Sequence, residues 1–174
     1  TETAAGSLTV TATTVPSGIA VAAITNTSGT VTATIAAGCA EALGNNTVVL
    51  TVTDGNGGTN TASFTVNVTA NTTPTLTYDN ASVLGGAATT NSPTAATDNG
   101  SIASYAVQSQ GTYTGTISVN ASGVVSISNA ALVGSHTITI RATDNCGAMT
   151  DASFMLTVGN NAPTINAGGA LTRQ

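Results

Sequence analysis

The sequence predicts an all-β chain built of two sandwich domains of one type. Three observations carry this. Apolar residues alternate with Thr or Ser over short stretches, Gly-Asn, Asp-Gly and Ser-Gly pairs separate the stretches, and the sequence repeats itself once along its length. A period of two with β-branched residues is the pattern of strands. Gly, Asn and Asp adopt the backbone conformations of tight turns at little cost. No stretch carries a 3.6-residue period, and Ala36–Gly44 forms at most a short turn of helix.

In chain order, the first alternating runs are Leu8–Thr11, Val31–Ile35, Val48–Val52 and Phe64–Val68. A break follows at Asn71-Thr72-Thr73-Pro74. A short strand then starts at Thr75-Leu76 and leads toward Gly85. Further runs follow at Ile117–Val119, Val125–Ile127 and His136–Ile140. Gly6–Gly29 lines up without a gap on Gly100–Gly123, and Thr47–Val68 lines up on Thr137–Val158. Asp54 falls on Asp144 and Phe64 on Phe154. The first copy carries four extra residues between Gly29 and Gly44. These matches predict a first domain over residues 1–70, a second over 71–159 and a C-terminal strand over 160–174.

The repeat is out of phase with the ends. Thr1 corresponds to Ala95, so the first domain has no equivalent of Pro74–Thr94, and its N-terminal strand is expected to be lacking. Asn160-Asn161-Ala162-Pro163-Thr164-Ile165 repeats the segment that starts at Asn71.

Charge is scarce. The chain has 174 residues and a net charge of -5, and 5% of its residues are charged, against roughly 25% in ordinary globular proteins. The two bases are Arg141 and Arg173. Phosphate contacts need a basic surface, so nucleic-acid binding is excluded as a reading. Without Lys there is no lysine nucleophile, no Walker loop and no Lys–Asn isopeptide cross-link. The single histidine, His136, excludes a multi-histidine metal site and is expected to be structural. Polar residues interrupt every apolar run before membrane-spanning length. Thr1 in place of Met reads as the start of a mature or trimmed product.

Gly134–Asn145, followed by Ala152–Val158, resembles the last two strands of bacterial immunoglobulin-like and cadherin-like modules of secreted surface proteins. The turn at Asp54-Gly55-Asn56-Gly57-Gly58 is the same hairpin in the first domain. The resemblance runs from Gly6 to Pro163. It implies two tandem immunoglobulin-like sandwiches and an extracellular, cell-surface location. It does not select a function, since such modules serve as spacers, adhesins and fibre subunits. Calcium-binding cadherins carry a dense acidic linker, which Asn71-Thr72-Thr73-Pro74 does not match.

A sandwich without an edge strand exposes unpaired N–H and C=O groups and part of its apolar interior. Residues 162–172 are an extended segment suited to strand addition in the first domain of another copy. Ile165 and Leu171 are the expected anchors, matching Leu76 and the Val83/Leu84 pair, each contributing about 1.5–3 kcal/mol on burial. Such a contact does not close, so it builds a head-to-tail homopolymer, a pilus-like filament. The neutral Thr-, Ser- and Asn-rich faces suit lateral bundling. The alternatives are a spacer or adhesin segment of a multi-repeat surface protein and a non-catalytic carbohydrate-binding module. Tyr78, Tyr105 and Tyr113 would line a sugar site in the last case; packing is the other reading of them.

In sandwiches of this kind the loops that hold Cys39 and Cys146 both face the domain junction. The expected state is a Cys39–Cys146 disulfide closing a loop of about 106 residues, for which chain entropy gives roughly 4–5 kcal/mol before strain. An inter-chain bridge and two buried free thiols are the alternatives. A bridge implies an oxidising compartment. Asp54 and Asp144 are expected to cap turn N–H groups, with calcium coordination as the other reading. Phe64 and Phe154 are expected in the core. No nucleophile–base set is present, so no enzyme activity and no cofactor are expected.

Overall fold

The structure, a computed structural model, describes residues 7–163 and residue 165. Fourteen strands run through them, and the chain divides between Asn71 and Thr72 into two compact units.

Domain 1 contains β1 (Thr9–Thr14), β2 (Ile19–Thr27), β3 (Thr30–Ala37), β4 (Gly44–Thr53) and β5 (Thr59–Val68). They form a three-stranded sheet in the order β1-β4-β5 and a two-stranded sheet of β2 and β3. Domain 2 contains β6 (Thr75–Tyr78), β7 (Ala81–Leu84), β8 (Thr89–Asn91), β9 (Pro93–Thr97), β10 (Ile102–Ser109), β11 (Thr116–Val119), β12 (Val125–Ser128), β13 (Gly134–Asp144) and β14 (Met149–Gly159). One of its sheets has the order β10-β13-β14-β7, a second the order β11-β12-β8, and β6 pairs with β9.

The repeat carries over to strand register. Gly44 faces Val68 and Val48 faces Phe64 across β4 and β5. At the matching places Gly134 faces Val158 and Ile138 faces Phe154 across β13 and β14. Identical pairing from similar sequence follows from the period of two, because a slip by one residue would turn every core side chain outward. Both domains are thus one immunoglobulin-like sandwich, and among the described residues the first has no counterpart of β6 and β7.

β2 does not alternate in sequence because it is bulged. Its pairing with β3 shifts between Ala22 and Thr25, and Ala23 adopts a φ of 49°. One inserted residue re-aims the side chains that follow it. Ala36 and Ala37 end β3, and a turn at Cys39-Ala40 takes the place of the short helical turn allowed by the sequence.

The core sits in domain 2. Fourteen buried residues form one cluster there, among them Ile127, Ile138, Ile140, Phe154, Leu156 and Val158. In domain 1, Ile19 and Val48 are the buried hydrophobics among the described residues.

Candidate functional site: the open flank of domain 1

The site follows from what domain 2 has and domain 1 lacks. In domain 2, β14 is paired on both edges, with β13 on one side and in parallel with β7 on the other. β12 is likewise paired on both edges, with β11 and with β8. Among the described residues of domain 1, no strand corresponds to β6, β7, β8 or β9. Among the described residues the matching strands, β5 and β3, are therefore each paired on one edge, with β4 and β2 respectively. Among the described residues the equivalent of β8 is missing along with those of β6 and β7, while residues 1–3, which align on the end of β9, lie outside the described residues.

Burial records the consequence. All eight positions of β3 are exposed, whereas Val125 and Ile127 of β12 are at 0% and 1%. Val31, the counterpart of Val125, is 39% exposed, and Ile35 is 36% exposed. Phe64, Val66 and Val68 of β5 are half-buried, while Phe154, Leu156 and Val158 are buried.

An apolar cleft of about 360 Å³ opens in domain 1, lined by Val10, Gly29, Val31, Leu50, Val52 and Ala62, among others. In domain 2 the ring of Tyr105 lies against Gly123, which Tyr78 of β6 also reaches. The Tyr78 hydroxyl donates to the carbonyl of Gly123, the counterpart of Gly29, at 2.5 Å. Its ring lies 5.4 Å from that of Phe154. Burial, with a smaller contribution from Tyr105, pushes the Tyr78 phenol up to about 12.

The remaining expected site residues fall as follows. Ile165 is described and 96% exposed; Leu171 lies outside the described residues. Neither cysteine is a free thiol: Cys39 and Cys146 are both in disulfide linkage, which removes the free-thiol alternative. Asp54 Oδ1 accepts from the N–H groups of Asn56 and Gly58 at 2.9 and 2.8 Å. Asp144 Oδ1 accepts from those of Cys146 and Ala148, both at 2.8 Å. Among the described residues no three His, Cys, Asp or Glu side chains converge as a metal site would require.

The tyrosines are packing groups. Tyr113 is 1% exposed and its hydroxyl donates to the Ser128 carbonyl at 3.2 Å. Tyr105 is half-buried against the core of domain 2. They present no exposed aromatic platform for a sugar ring. His136 is buried and held at both nitrogens. Nε2 donates to the Leu132 carbonyl, which can only accept, and Nδ1 is bonded to the Thr112 hydroxyl, each at 2.8 Å. It fixes the loop before β13, where Leu132 adopts a φ of 49°.

Strand order and pairing define the class of protein: a tandem of two immunoglobulin-like β-sandwiches. No protein-family model matches the sequence, and no curated protein matches it. Among solved structures the chain is similar to domains 4 and 5 of the S-layer protein SbsC, at 20% identity and a TM-score of 0.44, over 91% of this chain and 74% of that one. It is also similar to BT4661, a SusE-like surface-located polysaccharide-binding protein from Bacteroides thetaiotaomicron, at 12% identity and a TM-score of 0.40, over 83% of this chain and 36% of that one. A third likeness is to the protocadherin gammaB4 extracellular domain, at 15% identity and 0.43, over 88% of this chain and 28% of that one.

Proposed function

We propose that this chain is a non-catalytic structural segment of an extracellular surface protein built from tandem immunoglobulin-like modules, serving as a spacer. The observation that carries the reading is the repetition. One sandwich occurs twice in the same register, and Asn160–Ile165 repeats the segment that opens domain 2. The disulfide linkage of both cysteines supports an oxidising, extracellular setting. The surface supports a passive role, because Thr and Ser hydroxyls pair across strands, as in Thr13–Thr51 and Thr139–Ser153, both at 2.8 Å. Immunogold labelling of intact cells with an antibody to domain 2 tests this. Label outside the envelope is expected, and label confined to the cytoplasm of sectioned cells overturns it.

Within this reading Cys39 pairs with Cys146 and pins the two domains to each other. Peptide mapping under non-reducing conditions is expected to yield a linked Cys39–Cys146 peptide from monomeric protein. A linked peptide found only in a covalent dimer excludes the intramolecular bridge.

A head-to-tail filament is the second reading, favoured by the exposed Ile165 side chain and by the edge of β5, which has no partner on that side among the described residues. Here the C-terminal segment of one copy enters domain 1 of the next. Electron microscopy of the protein with and without residues 160–174 decides it. Fibres lost on truncation support the filament, and full-length protein that stays monomeric at high concentration removes it.

A further inference from the structure

We infer that the outer face of the β1-β4-β5 sheet of domain 1 is a contact surface for a second copy of this chain, met face to face about a twofold axis. This goes beyond the spacer reading and depends neither on it nor on the C-terminal segment. Three observations carry it.

The first is the order of the side chains. Strand pairing sets Thr9, Thr53 and Thr59 in one rank across the three strands and Thr11, Thr51 and Thr61 in the next. Further along, Val49 pairs with Ser63 and Thr47 with Thr65. The alternate residues Val10, Leu50, Val52 and Ala62 line the apolar cleft, so the threonines take the opposite face. In the two ranks the members from β1 and β5 are exposed and those from β4 are half-buried.

The second is the chemistry of that face. A hydroxyl both donates and accepts, so ranks of hydroxyls match their own copy under a twofold rotation. Lys or Glu at these places would meet its copy with like charge and would give up bound water at high cost. Threonine branches at Cβ and has few rotamers to lose, and Thr13 and Thr51 already hold each other at 2.8 Å. Ordering this face on contact therefore costs little, while the threonine methyl groups and Val49 supply apolar area.

The third is the same sheet in domain 2, a comparison within one chain. Its matching ranks read Ser104, Thr143, Met149 and Ala106, Arg141, Asp151. Arg141 and Asp151 are joined there by two hydrogen bonds of 2.7 and 2.8 Å. Charged groups are depleted from the centres of protein interfaces because they must be stripped of water. The strand register is thus shared, and the face without ions is that of domain 1.

The test uses the whole 174-residue protein, read by sedimentation velocity over a concentration series and by NMR of the threonine methyl groups. A monomer–dimer equilibrium is expected, with the methyl signals of Thr11, Thr51 and Thr61 moving as dimer forms. Its dissociation constant is expected to change by less than about twofold between dilute and concentrated salt, because neutral dipoles are not screened as charges are. Thr61→Lys is expected to weaken the dimer by about tenfold or more. That change makes the net charge of -5 less negative, so a rise in overall repulsion does not account for the loss. Thr137→Lys, on the exposed outer face of domain 2, is expected to leave the dimer as it is. Both positions are exposed, so unchanged melting temperatures are expected and verify that each variant folds.

Full-length protein that stays monomeric at high concentration overturns the inference. So does a dimer that Thr61→Lys leaves intact or that both variants weaken equally. A dimer dispersed by salt overturns it in favour of a charged contact, and one abolished by removing residues 160–174 overturns it in favour of the tail.

Discussion

Domains 1 and 2 share a strand register and differ in what closes them. In domain 2, β6–β9 cover the last strand of one sheet and the middle strand of the other, and the residues beneath reach nearly complete burial. In domain 1 the same strands form with the same hairpin, yet Phe64, Val66 and Val68 stay half-buried and β3 is exposed along its length. The lesson is that hairpin geometry in this fold is local, whereas burial is collective. A turn and an alternating pattern suffice for pairing, but dryness needs strands from elsewhere in the sequence.

The largest expected contrast lies at the paired phenylalanines. Phe154→Ala empties a site that is 3% exposed and is expected to lower the stability of domain 2 by about 3–5 kcal/mol. Phe64→Ala is expected to cost less than half of that, because water already reaches the site. Urea unfolding followed by residue-resolved NMR separates the two domains, and equal losses would break the comparison.

Alkaline titration gives the next contrast. The tyrosines all lie in domain 2. The folded phenol of Tyr78 keeps its proton up to about 12, while in the unfolded chain it is released near 10. Its stabilising contribution is full below pH 10 and is lost as pH rises toward 12, at about 1.4 kcal/mol per pH unit. Thermal melts between pH 9 and 12 should show domain 2 falling on that slope, and Tyr78→Phe should make the slope shallower. An unchanged slope would assign the loss to other groups.

The turn aspartates give a smaller difference. Asp144 is 2% exposed and holds two backbone N–H groups, so Asp144→Ala is expected to cost about 1.5–3 kcal/mol. Asp54 makes the same two bonds from a half-exposed position, and Asp54→Ala is expected to cost about 1 kcal/mol. Chemical denaturation of each variant reads this, and a larger loss at Asp54 would reverse the ranking. Smallest of all, Asp151→Asn, which breaks the exposed pair with Arg141, is expected to leave the melting temperature where it is.

Much of this was legible in the residues. Asp54 falling on Asp144 and Phe64 on Phe154 located both hairpins and their shared register before any coordinates. What stayed hidden has a physical reason. Strands β8 and β9 are written Thr89-Thr90-Asn91 and Pro93–Thr97, with a proline and no apolar side chain larger than Ala beside it, so no alternation announces them. That Pro74–Thr94 has no equivalent in domain 1 is legible from the repeat, but that this segment supplies strands to more than one sheet is not. The parallel pairing of β7 with β14 is also silent, because alternation fixes which face a residue takes and not which neighbour lies beside it. Tyr78 was visible as an aromatic residue, but the acceptor of its hydroxyl is Gly123, which is 45 positions away.

The hydroxyl pairs on the outer faces have a consequence for salt tolerance. Thr25 with Thr32 and Thr77 with Thr94 meet at 2.7 and 2.8 Å across neighbouring strands without a net charge on either. Dissolved ions shield charges and leave neutral dipoles in contact nearly untouched. Cross-strand pairs of this kind are expected to hold equally well in dilute and in concentrated salt.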